Sequence, residues 1–210
     1  MRSYRTLGLA VGNEAQAEIE VKRSRFLACV RRVQSEDDAR STIEEIRGRH
    51  RDARHHCTAF VIGPRADLQR SNDDGEPSGT AGRPILEVLN GHGLSDLVAV
   101  VTRWFGGTLL GAGGLVRAYG DATAAALDVA GTRERRLLDI VRVQVPMNEA
   151  GPLEHRLRQA GEVIDAHYDE RVTYRVATTD ADALTRDIAA WSAGAVQAES
   201  AGSLWRDIVG

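Results

Sequence analysis

The chain has 210 residues, of which 42% are hydrophobic and 27% are charged, and its formal net charge is −3. This composition is typical of soluble globular proteins with one large or two small domains. No apolar run approaches the length of a membrane helix, the apolar segment 7–11 is too short for a signal-peptide core, and there are only two cysteines. We therefore expect a cytoplasmic protein that has no membrane contact and no disulfide framework.

The first part of the chain, residues 1–131, has the pattern of one α+β domain. Ser35 followed by Asp38 resembles a capping box and predicts the start of a helix. The segment 55–62 is apolar on both faces at its far end, which favours a central strand. The predicted strands are 17–23, 26–33, 55–62, a short one near 67–69, and 97–101, and the other predicted helices open at 79–82 and extend over about 113–129.

The segment 131–136 has clustered charges and no periodicity, so it is predicted to be a linker. Residues 137–210 then predict the order β-α-β-β-α-β, which is that of a ferredoxin-like domain. Residues 136–210 carry 8 arginines against 12 acidic residues. This acidic balance argues against tight, general nucleic-acid binding by the second domain.

The segment 98–117 is a β-branched run, then an arginine and two aromatics, then glycines, then a helix-forming sequence. A glycine-rich turn at a helix N-terminus exposes N–H groups and attracts anions. The expected anion-recognising residues are Arg103, Gly106, Gly107, Gly111, Gly113, Gly114 and Arg117. The P-loop and dinucleotide motifs are both incomplete here, because no Lys-Ser/Thr follows Gly111 and Val116 stands where a third glycine belongs. The simpler alternative is that the glycines only permit a tight turn.

Three carboxylates, those of Asp73, Asp74 and Glu76, precede the second helix, where Thr80 adds a hydroxyl. They could hold Mg²⁺ or act as general acid and base, while Thr80 binds an anion. The alternative is a solvated turn whose charges favour the helix dipole. The carboxylates could also fix the flanking arginines through bidentate pairs.

Two further groups have weaker signals. His55-His56-Cys57 cannot complete a structural zinc site, and a buried thiol beside a hydrogen-bonded histidine is the favoured interpretation. The run Arg23-Ser24-Arg25-Phe26, preceded by Lys22, has the composition of an RNA contact, although a solvated strand crossing explains it equally simply.

Three of these motifs, in this order and spacing, resemble the IMPACT/YigZ family. They are 55–57, then 73–84, then 103–119, and the resemblance is strong over about residues 15–130. It implies an N-terminal domain of the ribosomal-S5-domain-2-like superfamily, followed by a C-terminal domain similar to the last domain of elongation factor G. In eukaryotic relatives the N-terminal module belongs to a translational regulator, and for bacterial members a nucleic-acid- or ribosome-related role has been suggested.

Two functions follow as hypotheses. The first is a non-enzymatic, translation-related regulator that binds RNA, the ribosome or a translation factor through the arginine- and glycine-rich surface and needs no cofactor. The second is an enzyme acting on a small phosphorylated metabolite. In that case the glycines bind phosphate, Asp73, Asp74 or Glu76 binds Mg²⁺ or moves a proton, and His56 assists.

Overall fold

The computed structural model describes residues 1–208, which form two compact units, 3–134 and 135–208. No helix within that described range is both long enough and apolar enough to span a bilayer. The elements of the first unit are β1 (Ser3–Leu7), β2 (Glu14–Val21), β3 (Ser24–Arg32), α1 (Glu36–Arg49), β4 (His55–Ile62), β5 (Leu68–Asn72), α2 (Gly82–Gly91), β6 (Leu97–Trp104) and α3 (Ala112–Ala130).

The first unit is built on a five-stranded sheet with the order β2-β3-β6-β4-β5. Side chains alternate across it, so that Phe26 and Ala28 of β3 contribute to one core and Cys29 to the other. The first core contains the apolar faces of α2 and α3, and the second contains that of α1. Helices therefore cover both faces of the sheet, which confirms the predicted α+β class.

Local signals in the sequence explain several element boundaries. The hydroxyl of Ser35 accepts a hydrogen bond from the N–H of Asp38, which is the predicted cap of α1. Strand β4 begins and ends at the predicted residues and lies between β6 and β5. Strand β1 has no counterpart among the predictions, because five residues are too few to show a periodic pattern.

The second unit has the predicted order β-α-β-β-α-β. Its elements are β7 (Thr132–Pro146), which begins in the first unit, α4 (Ala150–Ala160), β8 (Glu162–Tyr168), β9 (Arg171–Thr178), α5 (Ala181–Trp191) and β10 (Ala198–Ile208), with a 3-10 turn before α4. The strands of this unit pair in the order β10-β7-β9-β8. This is the strand order of a ferredoxin-like sheet, so that prediction is confirmed.

The predicted linker at 131–136 is wrong, because strand β7 begins at Thr132 and continues without interruption. Arginine side chains conceal this strand in the sequence: their aliphatic stems are half-buried while their guanidinium groups find polar partners. Arg135, for example, pairs with Asp207 of β10 at 3.1 Å. Charge clustering therefore marks a paired strand here and not a flexible connection.

Candidate functional site

The glycine-rich segment forms the connection between β6 and α3. Gly107 and Gly111 have φ values of 83° and 72°, a region that favours glycine. Gly111 is the N-cap of α3, where no side chain caps the helix and no acidic residue lies in the first turn. Among the described residues no N-cap side chain accepts from the first N–H groups of α3, and no acid offsets the positive end of the helix dipole in its first turn.

The other three glycines differ in what the fold requires of them. A Cβ on Gly106 would lie 2.0 Å from the carbonyl carbon of Arg23, so only glycine fits there. A Cβ on Gly114 would lie 3.1 Å from Cβ of Leu110. A Cβ on Gly113 would meet nothing within 4 Å, and its φ is not in the positive range. The turn therefore favours glycine strongly at positions 106, 107 and 111, less strongly at 114, and does not explain Gly113.

Gly106 lies against the hairpin turn between β2 and β3. The two turn residues are Lys22 and Arg23, both exposed, with φ values of 48° and 66°. Two-residue hairpin turns of this kind strongly prefer Asn-Gly, because other side chains are strained at positive φ. The turn therefore lies beside the glycine segment with two cationic residues in a backbone conformation that disfavours their side chains.

Lys22 also lies across a depression of about 260 Å³ from the first turns of α3. The depression is lined by Val21, Lys22, Leu110, Gly114, Arg117, Ala118 and Asp121. Arg117 is exposed, and its Nε donates a long hydrogen bond of 3.4 Å to the carbonyl of Gly113. Within residues 1–208, Lys22, Arg23 and Arg117 form no ion pair with a carboxylate. We call these three cations, with the segment 105–114, the basic glycine surface.

Arg103 is not part of that surface. It is only 6% exposed, and its Nη1 donates to Oε1 of Glu76 at 2.6 Å. The hydroxyl of Tyr119, on α3, donates to the same oxygen at 2.7 Å. The predicted pairing of an acidic-loop carboxylate with a flanking arginine is therefore seen once, through a single oxygen and not as a bidentate pair. Arg103 links β6 to the acidic loop through this buried ion pair, so its charge is not available to bind a ligand.

The other predicted acids also bind donors of the chain itself. Asp73 accepts hydrogen bonds from the N–H groups of Gly79, Ala81 and Gly82 at 2.8–3.0 Å. Burial opposes ionisation of Asp73, but these three donors lower the pKa of its carboxyl below the usual value. Asp73 thereby caps the start of α2 with its side chain.

Asp74 and Thr80 complete the internal bonding of this loop. Asp74 accepts from the N–H of His56 at 2.7 Å and from Arg47 at 2.8 Å, and the hydroxyl of Thr80 donates to the carbonyl of Pro77 at 2.6 Å. No cluster of three or more potential metal ligands occurs within residues 1–208. The acidic loop thus connects β4, α1 and α2.

The histidine and cysteine of β4 lie beneath the acidic loop. Burial lowers the pKa of His56, whose Nε2 lies 3.1 Å from the carbonyl of His50. Burial raises the pKa of the Cys57 thiol, which donates to the carbonyl of Asp73 at 3.0 Å. A protonated, fully buried thiol is a poor nucleophile, and this agrees with the structural interpretation of the motif.

The aromatic residues at the end of β6 have different surroundings. The guanidinium of Arg25 lies 4.0 Å from the ring centre of Trp104, whose Nε1 donates to Asp52 at 2.8 Å. Phe105 is 49% exposed, and the guanidinium of Arg103 lies 5.7 Å from its ring centre. Leu109 is 82% exposed. The ring of Trp104 is therefore engaged by Arg25 and Asp52, whereas about half of Phe105 is exposed to solvent.

Sequence reasoning missed the role of the turn and of the exposed apolar side chains. The predicted crossing at 24–25 lies two residues too late, because β2 ends at Val21 and β3 begins at Ser24, which makes Lys22 and Arg23 the two residues of a tight hairpin turn. Phe105 and Leu109 carry no sequence signal that separates an exposed from a buried apolar residue.

Comparison with known proteins gives two family matches and several relatives. The Impact N-terminal domain family matches residues 22–127, and a domain of unknown function, DUF1949, matches residues 143–195. The chain is 43% identical to the IMPACT family member YvyE of Bacillus subtilis, over 78% of this chain and 76% of the relative. It is 40% identical to YigZ of Escherichia coli, over 75% and 79% respectively.

Among solved structures, one described as that of a hypothetical protein is 34% identical to this chain. It superposes with a TM-score of 0.66 and covers 96% of this chain and 98% of its own. The two-domain translational regulator Yih1 matches 58% of this chain and 48% of its own at 24% identity, with a TM-score of 0.41. The second superposition is too loose to indicate a shared function.

Proposed function

Because this chain belongs to the IMPACT family, we propose that it is a translation-related regulator that binds RNA of the ribosome or of a translation complex. The basic glycine surface is the proposed contact. The translation context comes from the family resemblance. The choice of RNA as the ligand comes from the chemistry of the surface.

The observation that carries the proposal is the arrangement of Lys22, Arg23 and Arg117 around the start of α3. Within residues 1–208 none of these cations forms an ion pair with a carboxylate, although Asp121 lines the same depression, and the N-cap of the helix beside them makes no side-chain hydrogen bond. Phosphate groups bind at helix N-termini through such N–H groups, and lysine and arginine add the charge attraction that dominates affinity for nucleic acids.

An enzyme acting on a phosphorylated metabolite is less well supported by the same site. The carboxylates that would hold Mg²⁺ or transfer a proton already accept hydrogen bonds from backbone N–H groups, from arginines and from a tyrosine. The residues that would perform catalysis are those that assemble the loop. We therefore propose a binding function without catalysis.

The test is co-sedimentation of the whole protein with ribosomes over a series of salt concentrations. We expect salt-sensitive association that is lost when Lys22→Ala and Arg117→Ala are combined. Arg40→Ala with Arg65→Ala is the control for the change in net charge, because it removes two exposed cations that pair with Glu36 and Asp67 and lie outside the turn and α3. Equal loss in both double variants, or no association of wild type at low salt, would contradict the proposal.

A further inference from the structure

We infer that the RNA bound at the basic glycine surface is single-stranded, with an unpaired base stacked on Phe105. This inference rests on the proposed function and adds the kind of RNA recognised. It starts from a feature that phosphate binding does not need, namely the exposed apolar side chains of the segment 105–116.

Eight large hydrophobic residues are strongly exposed in the described chain, and three of them lie between residues 105 and 116. They are Phe105, Leu109 and Val116, with exposed fractions of 49%, 82% and 39%. Single exposed apolar residues are ordinary, but three within one short glycine-rich segment, which Arg117 follows directly, indicate a binding surface. A ligand that covers them must present apolar area as well as negative charge.

The position of Phe105 suits base stacking. The buried guanidinium of Arg103 lies 5.7 Å from the ring centre, so the ring rests over a cation that is itself fixed by Glu76. Phe105 thus has a guanidinium on one side of its ring while 49% of the residue is exposed, and single-strand-binding proteins stack bases on exposed aromatic rings. Trp104 is excluded from this role because Arg25 lies against its ring and its Nε1 binds Asp52.

The cations lie where the backbone of such a strand would pass. Gly106, the residue after Phe105, makes its close approach to Arg23, and Lys22 faces Arg117 across the depression beside α3. A base stacked on Phe105 would therefore have positive charge next to its own phosphate. Duplex RNA cannot use this arrangement, because its bases are stacked on one another and its faces are hidden.

An acidic peptide is the rival occupant, since it could also supply negative charge and apolar groups. A docked amphipathic helix needs a continuous apolar groove. The depression at the start of α3 is instead lined by Lys22, Arg117 and Asp121 together with apolar residues. The surface offers one aromatic ring and scattered aliphatic groups, which fits one base better than it fits a helix stripe.

The experiment measures the affinity of the whole protein, by fluorescence anisotropy at one salt concentration, for a labelled single-stranded uridine oligomer and for a duplex of the same length. We expect preference for the single strand. Phe105→Ala should weaken that binding roughly 5- to 150-fold, which is the usual effect of removing one stacked aromatic. Phe105→Trp should retain it, whereas Phe105→Leu should not, although it remains apolar.

Tyr168→Ala is the control, because Tyr168 is an exposed aromatic of the second unit. Tight duplex binding together with unchanged affinity in Phe105→Ala would overturn the inference while leaving the proposed function intact. Absence of salt-sensitive binding to either RNA would contradict both the inference and the proposed function. Displacement of the oligomer by polyaspartate as efficiently as by unlabelled RNA of equal charge would also overturn the inference, because it would show recognition of charge alone.

Discussion

The acidic loop before α2 and the glycine segment before α3 look alike as polar approaches to a helix, but their chemistry is opposite. At α2 the carboxylate of Asp73 accepts hydrogen bonds from three backbone N–H groups around the start of the helix. At α3 the N-cap is Gly111, without a capping side chain or an acid in the first turn. The N-terminus of α2 is therefore capped by a side chain of the protein, whereas the N-cap of α3 provides no such side chain. Internal hydrogen bonding, and not residue type, therefore distinguishes a loop that stabilises the fold from a candidate binding surface.

The largest expected effect comes from the contact that joins the two regions. Arg103→Ala would leave the carboxylate of Glu76 buried without its cation, and breaking a buried pair in this way costs about 3–5 kcal/mol. Denaturant unfolding should show this loss. Arg117→Ala, on the open surface, should change the free energy of unfolding by no more than about 0.5 kcal/mol. Equal stability of the two variants would contradict the assignment of Arg103 to the fold.

Acidification should remove the stabilisation that comes from carboxylates hydrogen-bonded within the protein. Hydrogen bonds from Arg49 and Arg31 outweigh burial and lower the pKa of Glu14 to about 2. Since the folded pKa lies below the unfolded one, Glu14 stabilises the protein fully above about pH 4.5. That contribution should be lost as the pH falls from about 4.5 to about 2. Glu14→Gln should flatten the pH dependence of the free energy of unfolding in this window, and an unchanged slope would contradict the bonding described.

The smallest expected effect concerns Gly113, whose missing side chain the fold does not explain. Gly113→Ala should raise the free energy of unfolding by up to about 1 kcal/mol, because alanine favours helix. It should also weaken RNA binding, because the methyl group projects from the open helix end. Gly48→Ala in α1 is the matched control, since a Cβ there also meets nothing within 4 Å. Unchanged RNA affinity in Gly113→Ala would show that the ligand does not approach this amide.

Most of the fold was readable from the sequence because apolar periodicity and helix caps are local. Ser35 and Asp180 each accept a hydrogen bond from the third residue after them, as their positions before α1 and α5 indicate. Strand β7 was not readable at its start, because half-buried arginine stems do not register as apolar.

The sequence predicts which residues form the site, but it does not predict the residues with which their side chains pair. The sequence points to Arg103 and Arg117 as equivalent flanking cations, yet one is buried against Glu76 and the other is exposed. Which carboxylate meets which arginine depends on long-range strand pairing, such as Phe26 beside Arg103 in the register of β3 and β6. Likewise, the strain of the Lys22–Arg23 turn is visible only in the backbone dihedrals.

That turn provides the most direct test of the central claim that the basic glycine surface contacts RNA phosphates. The measurement is RNA affinity as a function of salt concentration for Lys22→Asn combined with Arg23→Gly, which installs the preferred turn pair. We expect the first unit to be more stable by about 1–2 kcal/mol while RNA binding weakens. The slope of log affinity against log salt should become shallower by about 1.4, or 0.7 for each lost contact to a single strand. A stabilised variant with unchanged affinity and slope would contradict the account.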